Sequence, residues 1–587
     1  MLRMRFLLSC VVGMLCCLSS IAQTGAGSIQ GTITDGTGAV VADAKITAVN
    51  TATNTTRSTA SSASGAYALA NLPVGSYNVS IEKTGFATSQ TNVKVTVSEV
   101  TPVNVVMQVG RVENSVTVES ESLAPIETET SQISNLVDSR RIRDLPLLTR
   151  NPYQLALLSP GASTTTSGNG GFSVNGARDR NNNFLLDGVD NNDTSVPGIL
   201  GGALGANPES TEEFRIITNS FAAEYGRNTG AIVDVVTKSG TNSFHGNAYW
   251  FGRWNSFGGA RDWFNHNTDP LTGTVEKQNP YVRNQFGYSI GGPIIKNKTF
   301  FFFNHEIQRF RTTLTSQATV PTAAFKAGKF TWHTSDANGN PVDIPIDLSQ
   351  GSAQNLNGLV PDPTMQNVFA LYPNPALLNG DGYSGTAFFP SASKQDSYQT
   401  VFKLDHRFTD RHSVTLRYGY NHFNDPNPFH DDILPGNVGA VGEKSITQGF
   451  AGTLNSTLTN TLLNTFSAGW NKLYIPFKCQ GLDVLDDPSV NVVDQFGSGR
   501  EYIFNTFTPF ACGADTFLSN GQNRTTGTTS FGDSLSWARG SHNLKFGMDF
   551  RNIRESGFNN FNSRRQVDLR ANFNGFSVLD PTFIDPT

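Results

Sequence analysis

Apart from the run Phe6 to Leu18, the chain has no apolar stretch approaching the roughly 18 residues that a membrane-spanning helix needs. Any insertion into a bilayer must therefore be by strands. The chain also lacks His-Glu-x-x-His and any His-x-x-Glu pair, which argues against zinc peptidase chemistry. No basic tract is present, and 43 Lys and Arg stand against 48 Asp and Glu, so nucleic acid is not an expected partner. No cofactor is expected either, and no metal site. Cysteine is scarce. Three of the five fall near the amino end, leaving Cys479 and Cys512. In an oxidising compartment these two either pair as a staple on one surface loop or remain as two buried thiols.

What is present begins with a targeting segment. Arg3 and Arg5 precede the apolar run, and Ser20-Ile21-Ala22 places small residues where a signal peptidase reads, giving a secretory signal over residues 1–22. Cys16 and Cys17 lack the small residue usual just upstream of a lipidated cysteine.

From Phe244 onward, alternation with period two dominates. Phe244, Gly246, Ala248, Trp250, Gly252 and Trp254 share one parity, against His245, Asn247, Tyr249, Phe251 and Arg253. Val414, Leu416, Tyr418 and Tyr420 alternate with Ser413, Thr415, Arg417 and Gly419. Leu544, Phe546, Met548 and Phe550 do so with Lys545, Gly547, Asp549 and Arg551. A one-residue slip would turn these charges toward lipid, at roughly 2–4 kcal/mol for each Arg or Lys at mid-bilayer. Asp533 breaks the pattern by sharing parity with Phe531, Leu535 and Trp537, which suggests a rim position or a bulge. Tight turns at Lys296-Asn297-Lys298, Thr409-Asp410-Arg411 and Arg539-Gly540-Ser541 alternate with long segments near 255–281, 312–396, 425–444 and 474–528. This is the rhythm of a membrane barrel with short turns inside and long loops outside. About nine strands can be counted, fewer than a barrel holding a folded plug needs, so the chain is expected to be an amino-terminal piece of a longer protein. His305 and Glu306 read as an interior polar pair of the wall rather than metal ligands.

Before the barrel, Phe184-Leu185-Leu186 is a core strand and Asp187-Gly188 a tight turn. Asp187, Asp190, Asn192 and Asp193 offer oxygen ligands suited to calcium, though their spacing fits no loop consensus and Asx turns explain the same residues. Glu224 and Arg227 are candidates for holding this domain to the wall, with solvated charges as the alternative. Nearer the amino end, short alternating strands punctuated by Gly, Asp-Gly and Pro argue a small β-sandwich over 27–108.

The strings EEFRIITNSFAAEYGRNTGAIVDVVTKSGTNSFHG and GGPIIKNKTFFFFNHE resemble the plug-to-barrel junction of TonB-dependent outer-membrane receptors, in the Oar-like branch. Asn175, Gly176, Arg178, Asp187 and Gly188 resemble a plug motif. The pattern Gly31, Asp35, Gly38, Ala44, Gly65, Tyr67, Leu72, Pro73, Gly75, Tyr77, Gly85 and Phe86 resembles the carboxypeptidase regulatory-like domain, grouped with carbohydrate-binding-like folds. By position, Ser115, Val116, Thr117 and Val118 look like a TonB box, an extended peptide captured by strand addition; a plain linker is the other reading.

The resemblance implies a mainly β chain with these parts: signal 1–22; Ig-like or carbohydrate-binding-like sandwich 27–108; box or linker 111–122; α+β plug 123–241; and an incomplete antiparallel transmembrane barrel 243–587. It implies a non-enzymatic receptor in the outer membrane, with sandwich and plug on the periplasmic side. Its partners would be the TonB complex of the inner membrane, outer-membrane lipid, and an extracellular ligand such as an iron chelate, glycan or peptide. The alternative is a structural, adhesion or protein-export component of the Oar type.

Overall fold

In the computed structural model, the described residues are 25–110, 115–118, 130–255, 280–480, 502–504, 523–558 and 565–567, less short gaps at 148, 166–170, 197–200, 227, 337, 351, 355–359, 361–362, 431–433, 437, 439, 460 and 540–541. The signal segment, Arg227 and Cys512 lie outside them.

Nine strands build the first domain: β1 (Gly27–Asp35), β2 (Lys45–Asn50), β3 (Thr56–Ala60), β4 (Ala66–Leu72), β5 (Gly75–Glu82), β6 (Thr88–Val95), β7 (Val100–Pro102), β8 (Val105–Met107) and β9 (Ser115–Val118). One sheet runs β4-β1-β7 with β8 also on β1, and the other runs β3-β2-β5-β6-β9. Alternate side chains turn inward to a core that includes Ile29, Ile46, Tyr77, Val79, Ile81 and Met107. Gly31 is required by close approach: a Cβ there would stand 1.9 Å from the Val103 carbonyl oxygen, which also accepts the Tyr67 hydroxyl at 2.8 Å.

The second domain is mixed. Its strands are β10 (Ile133–Val137), β11 (Ala162–Thr164), β12 (Phe172–Val174), β13 (Asn183–Leu186), β14 (Val189–Asp190), β15 (Thr211–Asn219) and β16 (Ile232–Thr237), with short helices at Ser139–Asp144 and Pro152–Leu158. The main sheet is ordered β10-β15-β16-β13-β14. Strands β13 and β16, apolar but for Asn183, Asp234 and Thr237, are buried along their whole length, with both faces covered. Asp187 at φ 52° and Gly188 at φ 76° make the two-residue turn between β13 and β14, where left-handed conformations suit the twist of a hairpin.

The third unit is one continuous antiparallel sheet. Its strands are β17 (His245–Trp254), β18 (Tyr281–Ile295), β19 (Thr299–Pro321), β23 (Ser384–Arg407), β24 (His412–Asp425), β25 (Val441–Thr459), β26 (Leu462–Cys479), β28 (Asn523–Arg539) and β29 (His542–Phe558). Between β19 and β23 lie β20 (Lys329–Ser335), β21 (Pro341–Asp347) and the short β22 (Leu377–Leu378). The fragments β27 (Tyr502–Phe504) and β30 (Arg565–Val567) pair with each other. Nine strands follow one another in sequence order, and among the described residues no pairing joins β17 to β29.

Three details differ from the sequence reading. The segment 312–396 is not loop throughout, because β19 and β23 stay paired out to Pro321 and Ser384. Their ends, with β25 and β26, enclose an apolar core separate from those of the sandwich and the plug, which includes Val320, Phe389, Val368, Tyr372 and Phe477. His305 and Glu306 do not point the same way. Neighbours in a strand face opposite sides, so Glu306 is buried inward while the His305 ring meets Tyr288 and Tyr398 on the outer face. Asp533 sits in an unbroken register with no bulge, and accepts from Asn464 Nδ2 at 2.6 Å on the adjacent strand.

Candidate functional site

The plug lies against the inner face of the large sheet, and the inward parity of each strand supplies its contacts. Asp187, lifted out of β13 by its turn, is the centre of them. Lys403 Nζ of β23 stands 3.2 Å from Asp187 Oδ1, and Arg417 Nε of β24 stands 3.1 Å from Oδ2. All three side chains are under one-tenth exposed. The Thr237 amide also donates to Asp187 at 3.0 Å, and the Thr237 hydroxyl at 2.8 Å. Burial alone would raise the Asp187 pKa; the Lys403 and Arg417 charges and the Thr237 donors outweigh it and hold the carboxylate below its usual value.

The rest of the Asp cluster is shared out along the wall. Asp190 Oδ2 lies 3.2 Å from Arg551 Nη1 of β29, and the Asp190 carbonyl accepts Asn471 Nδ2 of β26 at 3.0 Å. Asp193 Oδ2 is 3.9 Å from Arg524 Nη2 of β28. Asp190 and Asp193 each also accept the backbone N–H two residues on, as in Asx turns, at 3.1 and 2.9 Å. Glu224 pairs with Lys545 of β29. Close packing accompanies these pairs: a Cβ on Gly469 of β26 would stand 2.0 Å from Val189 Cγ1.

Toward the long-loop end, Arg150 sits 3.2 Å from Glu209 and over the Phe251 ring at 3.6 Å, while Asn207 Nδ2 donates to Asn304 at 2.9 Å. A cavity of about 440 Å³ opens there, lined by Arg150, Arg283, Gln308, Gln399, Asn421 and Glu443 among others.

The motif residues are placed as follows. Asn175 (φ 50°) and Gly176 (φ 78°) form a turn, and Asn175 Nδ2 donates to the Thr218 carbonyl at 2.9 Å. Arg178 precedes the short turn Asp179–Asn181 at its N-terminal boundary, without a capping hydrogen bond from its side chain. Ser115 to Val118 form β9, paired in parallel with β6 from Thr88↔Ser115 to Thr91↔Val118. Cys479 ends β26.

Residues that sequence reasoning missed lie between sandwich and plug. The turn Thr96 to Glu99, directly after β6, enters the plug sheet. Arg215 of β15 pairs there with Glu99, both side chains 4% exposed, and donates through Nε to the Val97 carbonyl at 2.7 Å. Glu213 accepts the Val97 amide at 2.6 Å, Asp234 accepts the Ser98 hydroxyl at 2.5 Å, and Tyr225 donates to Ser98 at 2.8 Å. Burial raises the pKa of Glu213 to about 7 and that of Asp234 to about 7. The available signal was a charge inside an otherwise apolar core strand, as in Ile232-Val233-Asp234-Val235.

A sandwich, a mixed plug domain and an antiparallel sheet with an apolar outer face and a polar inner one define the class. The family described as "Outer membrane beta barrel domain" matches residues 236–580, and the chain belongs to it. The "Carboxypeptidase regulatory-like domain" matches residues 28–108. The chain is related to the TonB-dependent transporter Oar of Myxococcus xanthus, with 29% identity over 317 residues, 51% of this chain and 28% of that protein. Among solved structures it is similar to the outer membrane transporter YddB of Escherichia coli at 13% identity and TM-score 0.42, covering 72% of this chain and 48% of that one. The ferric enterobactin receptor PfeA of Pseudomonas aeruginosa gives 12% and 0.41, over 72% and 49%. The chain thus spans about half the length of these two proteins and less than a third of the Oar protein.

Proposed function

We propose that this chain acts in a TonB-dependent outer-membrane transporter, in which the plug closes a barrel and yields when TonB pulls on Ser115 to Val118. The observation that carries the reading is the buried Asp187 clasp. Removing water from one carboxylate and two cations is costly unless they are well paired, and here one partner is on the plug and two are on the wall. Such a contact seats a separate domain in a lumen. On this reading the short-turn end faces the periplasm, with the sandwich, and the long loops face outward. An extracellular ligand then meets the loops and the cavity beside Arg150 and Asn421. No residue has to make or break a covalent bond.

Among the described residues β9 is paired on one side only, and such an edge is what a TonB strand needs, since strand addition draws on backbone donors and acceptors with few side-chain demands. Val116→Cys in living cells should form a disulfide with a cysteine in the pairing segment of TonB. Crosslinking no stronger than from Ser58→Cys, in β3 at the opposite edge of the same sheet, would remove the box assignment.

A further inference from the structure

The sandwich touches both the wall and the plug. At the short-turn end Arg57 donates to the Asp410 carbonyl at 3.0 Å and to Ser413 Oγ at 3.0 Å, and Asn54 donates to Asn297 at 3.0 Å. It therefore rests on two tight turns of the wall. Its deeper contact is with the plug, through the turn Thr96 to Glu99: Glu99 with Arg215, the Val97 amide on Glu213, the Ser98 hydroxyl on Asp234. That turn follows β6 without a break, and β6 is the strand on which β9 lies.

We propose that the sandwich is the lock of the plug, closed by Thr96 to Glu99 and opened by force that arrives through β9. The inference rests on the transport reading. A partner strand added to the edge of β9 away from β6 becomes the next strand of the sandwich sheet, and tension along β9 loads its hydrogen bonds to β6 together. The load then passes along β6 into the turn that holds Arg215. A buried ion pair suits such a device. It adds little stability over apolar packing of the same shape, yet breaking it leaves a buried charge without its partner. The contact is therefore either made or lost, with few intermediate states. Pulling at Ser115 to Val118 withdraws Glu99 from Arg215 and frees β15, the strand that joins β10 to β16 in the plug sheet.

The test uses the full-length protein in its own outer membrane, with Cys479 and Cys512 changed to Ser. Ser210→Cys serves as reporter at a fully buried plug position, read by an impermeant maleimide added outside the cell. Ser98→Cys with Asp234→Cys closes the lock, because these side chains already touch. In the reduced protein, labelling should occur in energised cells and vanish with a protonophore. In the oxidised protein it should fall to the protonophore level and return on reduction. Oxidised protein that labels as fast as reduced protein overturns the lock while leaving TonB-driven opening in place. Absence of energy-dependent labelling in the Ser210→Cys parent overturns the transport reading, and the lock with it. Glu99→Gln, which keeps the shape of the contact, should raise labelling in cells without energy; labelling unchanged from the parent contradicts the role given to the ion pair.

Discussion

The plug is held on two sides by different chemistry. Against the wall its carboxylates are matched by cations: Asp187 with Lys403 and Arg417, Asp190 with Arg551, Glu224 with Lys545. Against the sandwich one carboxylate is matched, Glu99 with Arg215, while Glu213 and Asp234 face hydroxyl and amide groups and titrate near neutrality. At the wall the Lys403 and Arg417 charges hold Asp187 in its charged form, whereas the sandwich contact weakens as Glu213 and Asp234 ionise. A seat should hold under all conditions, and a release point should not.

The largest effect is expected at the seat. Asp187→Ala leaves Lys403 and Arg417 buried without a counter-charge, at roughly 3–5 kcal/mol, and should make the plug protease-sensitive and the purified full-length channel conductive. Next comes the pH response of the other contact. Glu213 and Asp234 have folded pKa values above their unfolded ones, so their contribution is fully present below about pH 4 and is lost as pH rises through about 7. The nearby charges are Lys94, Glu212 and Arg215 around Glu213, and Asp187, Glu224 and Arg215 around Asp234. Protease release of the sandwich should therefore be slower at pH 5.5 than at pH 8, a difference on the order of a few kcal/mol that Glu213→Gln should reduce. Gly469→Val places a side chain where Val189 now packs. Overpacking of this kind costs about 1–3 kcal/mol, and should lower the melting temperature of the plug without touching a charge. The smallest effect belongs to Arg57→Ala, which removes hydrogen bonds worth about 1 kcal/mol each. It should loosen the sandwich from the rim in crosslinking assays and leave the plug seated.

Parity made the inward charges of the wall legible. Arg417, Lys545 and Arg551 fall on the polar side of their strands in the sequence, and each is found facing the plug. Their partners were not legible, because Lys403 and Asp187 lie 216 residues apart and nothing local marks such a pair. The Asp187-Gly188 turn could be read for what it is, since its backbone demands are local. The outer ends of β19 and β23 read as loop because their alternation is weak: in β19, Leu314, Ala318 and Val320 still alternate with Thr315, Gln317 and Thr319, but no aromatic residue marks the apolar parity of that stretch. The docking of the sandwich was hidden for the same reason as the clasp. Its one trace was Asp234 and Glu213 within strands otherwise made for a core.

Amide hydrogen exchange on the full-length protein, between pH 5.5 and 8, reads both contacts at once. The Val97 amide donates to Glu213 and the Thr237 amide donates to Asp187. After correction for intrinsic base catalysis, protection at Val97 should fall as pH rises and protection at Thr237 should stay constant. Equal pH dependence at the two amides, or a loss confined to Thr237, would contradict the claim that seat and release point are built from different chemistry.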